Sequence, residues 1–557
     1  MLKHIRSTLF LSLLATTAFA QIPAKAPANW FNLDFKTDSV RGVSTEKTYQ
    51  TLLKGKKSKP VIVAVIDGGV DINHEDLNSV LWTNPKEIAG NGKDDDKNGY
   101  IDDIHGWNFI GGKDGRNINF EATELTRLFA PLADKYANAD SSKVTDKKEY
   151  ARYLELKAEY DKEYNKYKKQ YDDYNPVVEQ LTQINNLLKQ NLKMEKVDIN
   201  SLSSLKSGNP QLDELAINLV NGMNQAGVTD MDGLISNVSE DVNHLKEIMD
   251  YGLNLNYNPR DIVGDNYADQ HERYYGNNDV KGPDASHGTH VAGIIAANRT
   301  NNIGMSGIAN NVKIMSVRTV PNGDERDKDV ANAIRYAVDN GAKVINMSFG
   351  KSFSYDKSVV DEAVKYAESK DVLLVHAAGN DASNNDTKAN FPNSYFADGS
   401  QAKNWIEVGA LSWKKGEDAI ATFSNYGKKN VDVFAPGVDI YSTIPESQYK
   451  NNSGTSMASP VVAGIAAVLR SYFPNYTAAQ IKDIILRSAV RVEDKVKMPV
   501  DGGDSANNDI KLVNFSDLCN TGAVVNLYEA VKLAQNYKAF PLKPISTKPA
   551  ASTSKKQ

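Results

Sequence analysis

One cysteine, Cys519, serves a chain of 557 residues. No intramolecular disulfide framework and no Cys-rich metal centre can be built from it. A dominant charge sign is missing as well: 65 Lys and Arg stand against 70 Asp and Glu, a formal charge of −5. That balance supplies no basic surface for nucleic acid or for an anionic membrane. Beyond the N-terminal twenty residues no stretch approaches 18 uninterrupted apolar residues, so no membrane span is expected. The chain also has no His-Glu-x-x-His run, no P-loop and no Gly-x-Gly-x-x-Gly after a strand. Zinc-protease and nucleotide-binding readings are set aside on that ground. What is present suffices for a sizeable core, with 41% hydrophobic and 24% charged residues.

The N-terminus reads as an address. Lys3 and Arg6 precede the apolar run Leu9 to Ala15 and then Ala18-Phe19-Ala20. A basic stretch, a short apolar run and a small-x-small site predict a signal peptide over 1–20, cleaved near Ala20. The expected destination is the periplasm or the exterior. No Cys follows that site to carry a lipid, and a lone thiol suits an oxidising compartment.

Residues 21–59 form a short extension. Pro60 then opens Val61-Ile62-Val63-Ala64-Val65-Ile66, a β-branched run typical of a strand buried on both faces. Similar runs recur at Val312–Val317, Lys343–Met347, Val372–Ala377 and Ile406–Ala410, with helical periods between them. Alternation of this kind predicts an α/β domain with a parallel sheet, over 60–110 and 261–540. Between them, 111–260 has another character. Tyr160, Tyr164, Tyr167, Tyr171 and Tyr174 recur at helical steps, and Val177, Leu181, Ile184 and Leu188 continue them. This predicts a helical insertion, a hairpin of long helices, with a break at Pro176. Its tyrosine stripe is expected to be packing surface. The segment 541–557, rich in Pro, Ser, Thr and Lys, is expected to be a disordered tail.

Three segments carry residue types suited to nucleophilic chemistry. Asp67 ends the first apolar run in Val65-Ile66-Asp67-Gly68-Gly69-Val70-Asp71, at a strand's carboxyl end, where α/β domains build sites. His287 opens a helical stretch in Ser286-His287-Gly288-Thr289-His290-Val291-Ala292-Gly293. Ser456 lies in Gly454-Thr455-Ser456-Met457-Ala458-Ser459-Pro460, a small-residue loop entering an apolar helix. Unpaired backbone N–H groups at such a helix start favour negative charge formed beside the hydroxyl. Each segment alone has a bland explanation: an Asp-Gly turn, a core histidine, a serine N-cap.

Together they resemble the signature blocks of the subtilisin-like serine proteases, in the order Asp, His, Ser. A fourth block, Ala377-Ala378-Gly379-Asn380, is similar to the family's oxyanion segment. The resemblance covers about 60–110 and 261–540. It implies a three-layer parallel-sheet catalytic domain, with the helical insertion between the catalytic Asp and His. It further implies a serine endopeptidase acting on protein or peptide substrates through an acyl-enzyme. In that reading Ser456 is the nucleophile, His287 the base and acid, and Asp67 the partner of the imidazole. Asn380 completes the oxyanion hole. Ser348, Phe349 and Gly350, with Ala378 and Gly379, line the substrate strand, which would bind by β-augmentation. His290 is expected to be structural.

Departures from the family pattern give further expectations. Gly68 stands where Ser or Thr is usual, and Asp67 and His287 are 220 positions apart, far more than is common. The insertion must therefore emerge near the active-site face, where it would shape substrate access or dock a partner. The roughly 40 residues between Ala20 and Pro60 are few for a folded propeptide. Asp94-Asp95-Asp96-Lys97-Asn98-Gly99-Tyr100-Ile101-Asp102 matches the start of an EF-hand loop, but position 12 is His105. A structural calcium is expected on Asp94, Asp96, Asn98, Tyr100 and Asp102. A monomer is expected. A non-catalytic binding module on the same fold is the competing reading, and the intact Asp67, His287, Asn380 and Ser456 speak against it.

Overall fold

The computed structural model describes residues 25–499 and 511–538. The expected signal peptide and the 541–557 tail lie outside them. At the centre is β1 (Val61–Asp67), the β-branched run that follows Pro60. It pairs in parallel with β3 (Val312–Arg318) on one side and β4 (Val344–Met347) on the other, Asp67 standing opposite Arg318. Beyond β3 lies β2 (Gly106–Asn108). Beyond β4 come β5 (Leu373–Ala377), β6 (Trp405–Leu411) and β7 (Val433–Pro436), all parallel. Two short strands, Ala523–Val524 and Val490–Arg491, complete a nine-stranded sheet, the last one antiparallel.

Both faces are covered, which is why these strands are continuously apolar. Against one face pack the helices Ser286–Ala296 and Thr455–Tyr472, the latter buried along nearly its whole length. Asp327–Asp339 and Lys357–Ser369 cover the other. The result is three layers, helix on sheet on helix. Because the strands are parallel, the carboxyl ends of β1, β4 and β5 share one side, and Asp67, Ser348 and Asn380 follow there. The N-terminal extension is built into this body. Trp30 and Phe31 are buried, the Trp30 indole donates to the Val438 carbonyl, and the Leu527 N–H donates to the Val43 carbonyl.

Between β2 and the Ser286 helix the chain forms helices Glu124–Tyr136, Lys147–Leu192, Pro210–Gln225 and Met231–Glu247. The expected break at Pro176 does not occur: Lys147–Leu192 is one helix of 46 residues with the proline inside. A proline removes one N–H and crowds one carbonyl, and that local cost is outweighed when both flanking halves are packed. Here Tyr153, Leu156 and Tyr160 anchor the first half against Phe129 and Leu253. Leu181, Ile184 and Leu188 anchor the second against Met223 and Leu234. The tyrosine stripe is packing surface at Tyr160, Tyr164 and Tyr167 and ends at Tyr174, which is exposed. The far side of the insertion returns to the catalytic body at one ion pair, Glu240 to Lys450 at 3.8 Å. Lys450 belongs to the hairpin of β8 (Ile440–Ile444) and β9 (Gln448–Asn452), just before the serine loop.

Candidate active site

Asp67 closes β1 with its side chain buried, and Gly69 takes the left-handed turn (φ 132°) that frees the chain from the sheet. A Cβ on Gly69 would stand 2.1 Å from the Lys281 carbonyl oxygen, so only glycine fits. Gly288 does the complementary work on the histidine helix. A Cβ there would fall 2.2 Å from the Gly69 carbonyl oxygen and 3.1 Å from Asp67 Oδ1. Its absence lets the helix approach until His287 Nδ1 lies 2.8 Å and 3.0 Å from the two Asp67 oxygens. The missing hydroxyl at position 68 is replaced by the backbone: the Gly68 N–H donates to Asp67 Oδ1 at 2.8 Å. Burial pulls the His287 pKa down, but the Asp67 charge and hydrogen bond pull it up and prevail, helped by Asp284. The net shift is upward. The ring nevertheless keeps 46% of its side-chain surface open.

Ser456 is the second residue of the Thr455–Tyr472 helix. Its hydroxyl donates to the Ser348 carbonyl at 3.1 Å, and Ser348 Oγ donates to the Ser456 carbonyl at 2.9 Å. These bonds tie the serine loop to the end of β4. Asn380 is oriented by its oxygen, which accepts from the Thr455 N–H at 2.9 Å and the Thr455 hydroxyl at 3.0 Å. Its Nδ2 is thereby turned toward the serine. A Cβ built on Gly454 would be 3.6 Å from both Asn380 Nδ2 and the Ser456 backbone nitrogen. Two N–H groups, Asn380 Nδ2 and the Ser456 backbone, thus lie near one point beside Gly454.

Ala378 and Gly379 carry this asparagine off β5. The Gly379 N–H donates to Thr455 Oγ1, and the Ala378 carbonyl accepts from Asn385, Asn390 and Asn425. Ser348, Phe349 and Gly350 continue β4 past its last ladder bond. A cavity of about 230 Å³ is lined by Asp67, His287, Ser348, Asp284, Asn119 and Asn322, among others. Five segments of the chain therefore meet at one opening. His290, one turn along the helix, binds the Lys450 carbonyl through Nε2 and is pushed down to about 4, chiefly by burial. It is a structural, neutral histidine.

A profile of the subtilase family matches residues 58–512. This chain belongs to the subtilase family. It is 47% identical over 187 residues to the "Thermophilic serine proteinase" of Bacillus sp. (strain AK1), covering 33% of this chain and 43% of that one. It is 42% identical over 207 residues to "Thermitase" of Thermoactinomyces vulgaris, covering 37% and 68%. With "Subtilisin DY" of Bacillus licheniformis it shares 34% over 249 residues, covering 44% and 84%. The chain thus spans less than half the length of the first of these relatives.

The subtilase site contains residues that sequence reading missed. Arg318, at the end of β3, is fully buried and donates to the Gly68 carbonyl, to Asn108 Oδ1 and to the Ile118 carbonyl. It fastens the Asp67 turn to the stem of the insertion, and burial lowers its pKa to about 10. Asp284 faces the cavity three residues before His287. Asn425 holds the Asn380 loop by accepting from the Asp381 and Ser383 N–H groups. Only Asp284 had a local signal, an acid just ahead of a histidine helix. Arg318 and Asn425 become partners through folding alone.

In the acidic loop the structure gathers a different set of carboxylates. Asp94 accepts from the Asn98 and Gly99 N–H groups, and Asp102 accepts from those of Gly90, Asn91 and Gly92. Such bonds to nearby backbone are what short acidic side chains form in turns. The Asn98 oxygen accepts from the Tyr100 N–H, and the Tyr100 ring is buried against Trp107 and Tyr336. Asp96 lies in a cluster with Glu87 and Asp103, their oxygens within 4.8 Å of one another, and Asn98 Nδ2 donates to Asp103 at 3.1 Å.

Proposed function

We propose that this subtilase is an exported serine endopeptidase that cleaves peptide bonds in proteins through Asp67, His287 and Ser456. The observation that carries the reading is His287, held by buried Asp67 at 2.8 Å and facing a cavity bounded by Ser348, the hydrogen-bond partner of Ser456. With a peptide carbonyl in that cavity, Ser456 Oγ turns from Ser348 toward His287 Nε2 and attacks. His287 takes the proton and delivers it to the leaving amine. Asp67 keeps the ring in the tautomer with Nδ1 protonated and stabilises the imidazolium. Asn380 Nδ2 and the Ser456 N–H receive the oxyanion. Water then repeats the sequence on the acyl-enzyme. Export is supported by the N-terminal leader, and no described helix is long and apolar enough to cross a membrane.

A fluorophosphonate probe tests this. Wild type should be labelled at Ser456, Ser456→Ala should not, and kcat should fall on the order of 10⁶-fold, the size known for the same change in subtilisin. Labelling that survives in Ser456→Ala, or a wild type that resists the probe and cleaves no peptide, overturns the reading.

A structural calcium belongs to the same reading, on Glu87, Asp96 and Asp103. The donor set fits a hard cation: three carboxylates and no nitrogen or sulfur. Asp103 is buried, and its pKa is pushed up to about 6 by burial, with the Asp96 charge adding to it. A bound cation would relieve that cost and lock the loop against β3 through Trp82, whose N–H donates to the Ile314 carbonyl.

A further inference from the structure

The stem that leads into the insertion runs along the substrate side of the cleft. Asn119 lines the cavity together with Asp67, His287 and Ser348. Its carbonyl accepts from the Asn322 N–H at 2.8 Å, and the Asn322 carbonyl accepts from the Glu121 N–H at 2.9 Å. The stem is therefore joined to the Asn322 segment by a single parallel bridge at Phe120. Two residues after Glu121, Thr123 caps the helix Glu124–Tyr136.

The start of that helix is bonded to two segments that lead away from the cavity, one past Asn322 and one past Ser348. On the first, Arg127 donates to the Asp324 carbonyl at 2.9 Å and the Glu325 carbonyl at 3.2 Å, and the Glu124 N–H donates to Asp324 at 2.7 Å. On the second is Lys351, the residue after Ser348-Phe349-Gly350. Its ammonium donates to Glu124 at 2.7 Å and reaches across to the Glu325 carbonyl at 2.7 Å. The backbone carbonyls that an extended chain would use there are already taken. Glu124 and Lys351 are each only 1% exposed at the side chain. Glu124 also pairs with Arg127 at 2.7 Å and Lys351 with Asp327 at 2.8 Å, so the contact is one link of a buried charge network and stands as a fixed wall.

We propose that the start of the Glu124 helix ends the acyl-side groove, so that the enzyme engages about three substrate residues before the scissile bond and gains nothing from longer ones. The inference rests on the peptidase reading above. Ser348 bonds Ser456 directly, and Lys351 is three residues further on; at about 3.3 Å per extended residue the groove between them holds about three. A longer chain must turn out of the groove at that point. Asn119 and Asn322 then stand beside the second and third residues as specificity-determining contacts. The insertion acts on specificity through its root.

The test is kcat/KM for N-acetyl peptide p-nitroanilides with one to six residues before the cleaved bond. The expected rise is on the order of tenfold per residue through the third, followed by less than about threefold change from the third to the sixth. A further gain of about tenfold or more beyond the third residue overturns the proposal. The double variant Glu124→Ala/Lys351→Ala removes both charges of the contact; Arg127 keeps Glu121 at 3.8 Å, and Asp327 keeps the Ser354 hydroxyl and the Asp356 N–H. It should recover a gain for the fourth and fifth residues; a cooperatively folded double variant that keeps the wild-type plateau also overturns the proposal. The wild-type series decides alone if that variant does not fold. If no substrate of any length is hydrolysed faster than by Ser456→Ala, the peptidase reading itself has failed.

Discussion

The catalytic centre and the helical insertion are held by opposite means. Asp67, Ser348 and Asn380 follow the ends of strands that pair continuously along their length, and Ser456 and His287 head helices packed on one face of that sheet. Each of these side chains lies at the end of an element packed in the core. The insertion has no sheet. Its near half is tied to the body by buried charges, Glu124 and Arg127 on the insertion and Lys351 on the body. Its far half rests on a small cluster around Met223 and Met231, and on one exposed ion pair. Rigidity thus declines with distance from the cleft, and the parts of the insertion nearest the chemistry are the least able to move.

That contrast can be broken or sharpened by four changes. Asp67→Asn should lower kcat by about 10⁴-fold, the size known for this change in a serine-protease triad. It also moves a pH profile. Activity needs neutral His287, so in wild type it is lost as pH falls through a pKa that Asp67 holds above the usual value. In Asp67→Asn the residual acid limb should therefore shift to lower pH; an unmoved limb would show that Asp67 does not control the imidazole.

Met223→Ala, at a fully buried position in the far half, should cost about 2–5 kcal/mol. The loss should show as faster hydrogen exchange in the far half, with short-peptide kcat/KM within about twofold of wild type. Equal loss of exchange protection in the central strands would mean that the two regions unfold together.

Chelation should lower Tm, since a cation that binds only the folded loop stabilises by about 2.7 kcal/mol at a hundredfold excess over Kd. Asp103→Asn should abolish the response to added calcium. A chelator-insensitive Tm in wild type removes the cation from the account. The smallest effect is expected for Glu240→Ala, at most about 0.5 kcal/mol, because both partners of its ion pair are largely exposed and screened.

Much of the core was legible because local pattern and tertiary role coincide there. The run Val61 to Ile66 is apolar at every position since it lies between two helical layers, and the glycines beside Asp67 and His287 are where backbone must pass close. The insertion was legible as helix from its tyrosine and leucine spacing. Its continuity through Pro176 was not, because a proline's local penalty is visible in sequence and the packing on either side of it is not. In the acidic loop the spacing matched a calcium pattern, and what it could not show is that Glu87 and Asp103 stand beside Asp96.

By itself the sequence determined the class of the sheet, the candidates Asp67, His287, Asn380 and Ser456 on which the proposed function rests, and the presence of a long helical segment between the first two. These follow from periodicity and from residue type, which are local properties. The tertiary structure alone decided that Arg318 braces the Asp67 turn, that Asn425 braces the Asn380 loop, and that Glu124 and Lys351 meet across the groove. Lys351 lies 227 positions from Glu124. A contact between charges that distant depends on the whole path of the chain, and burial makes it strong enough to shape what the cleft can hold.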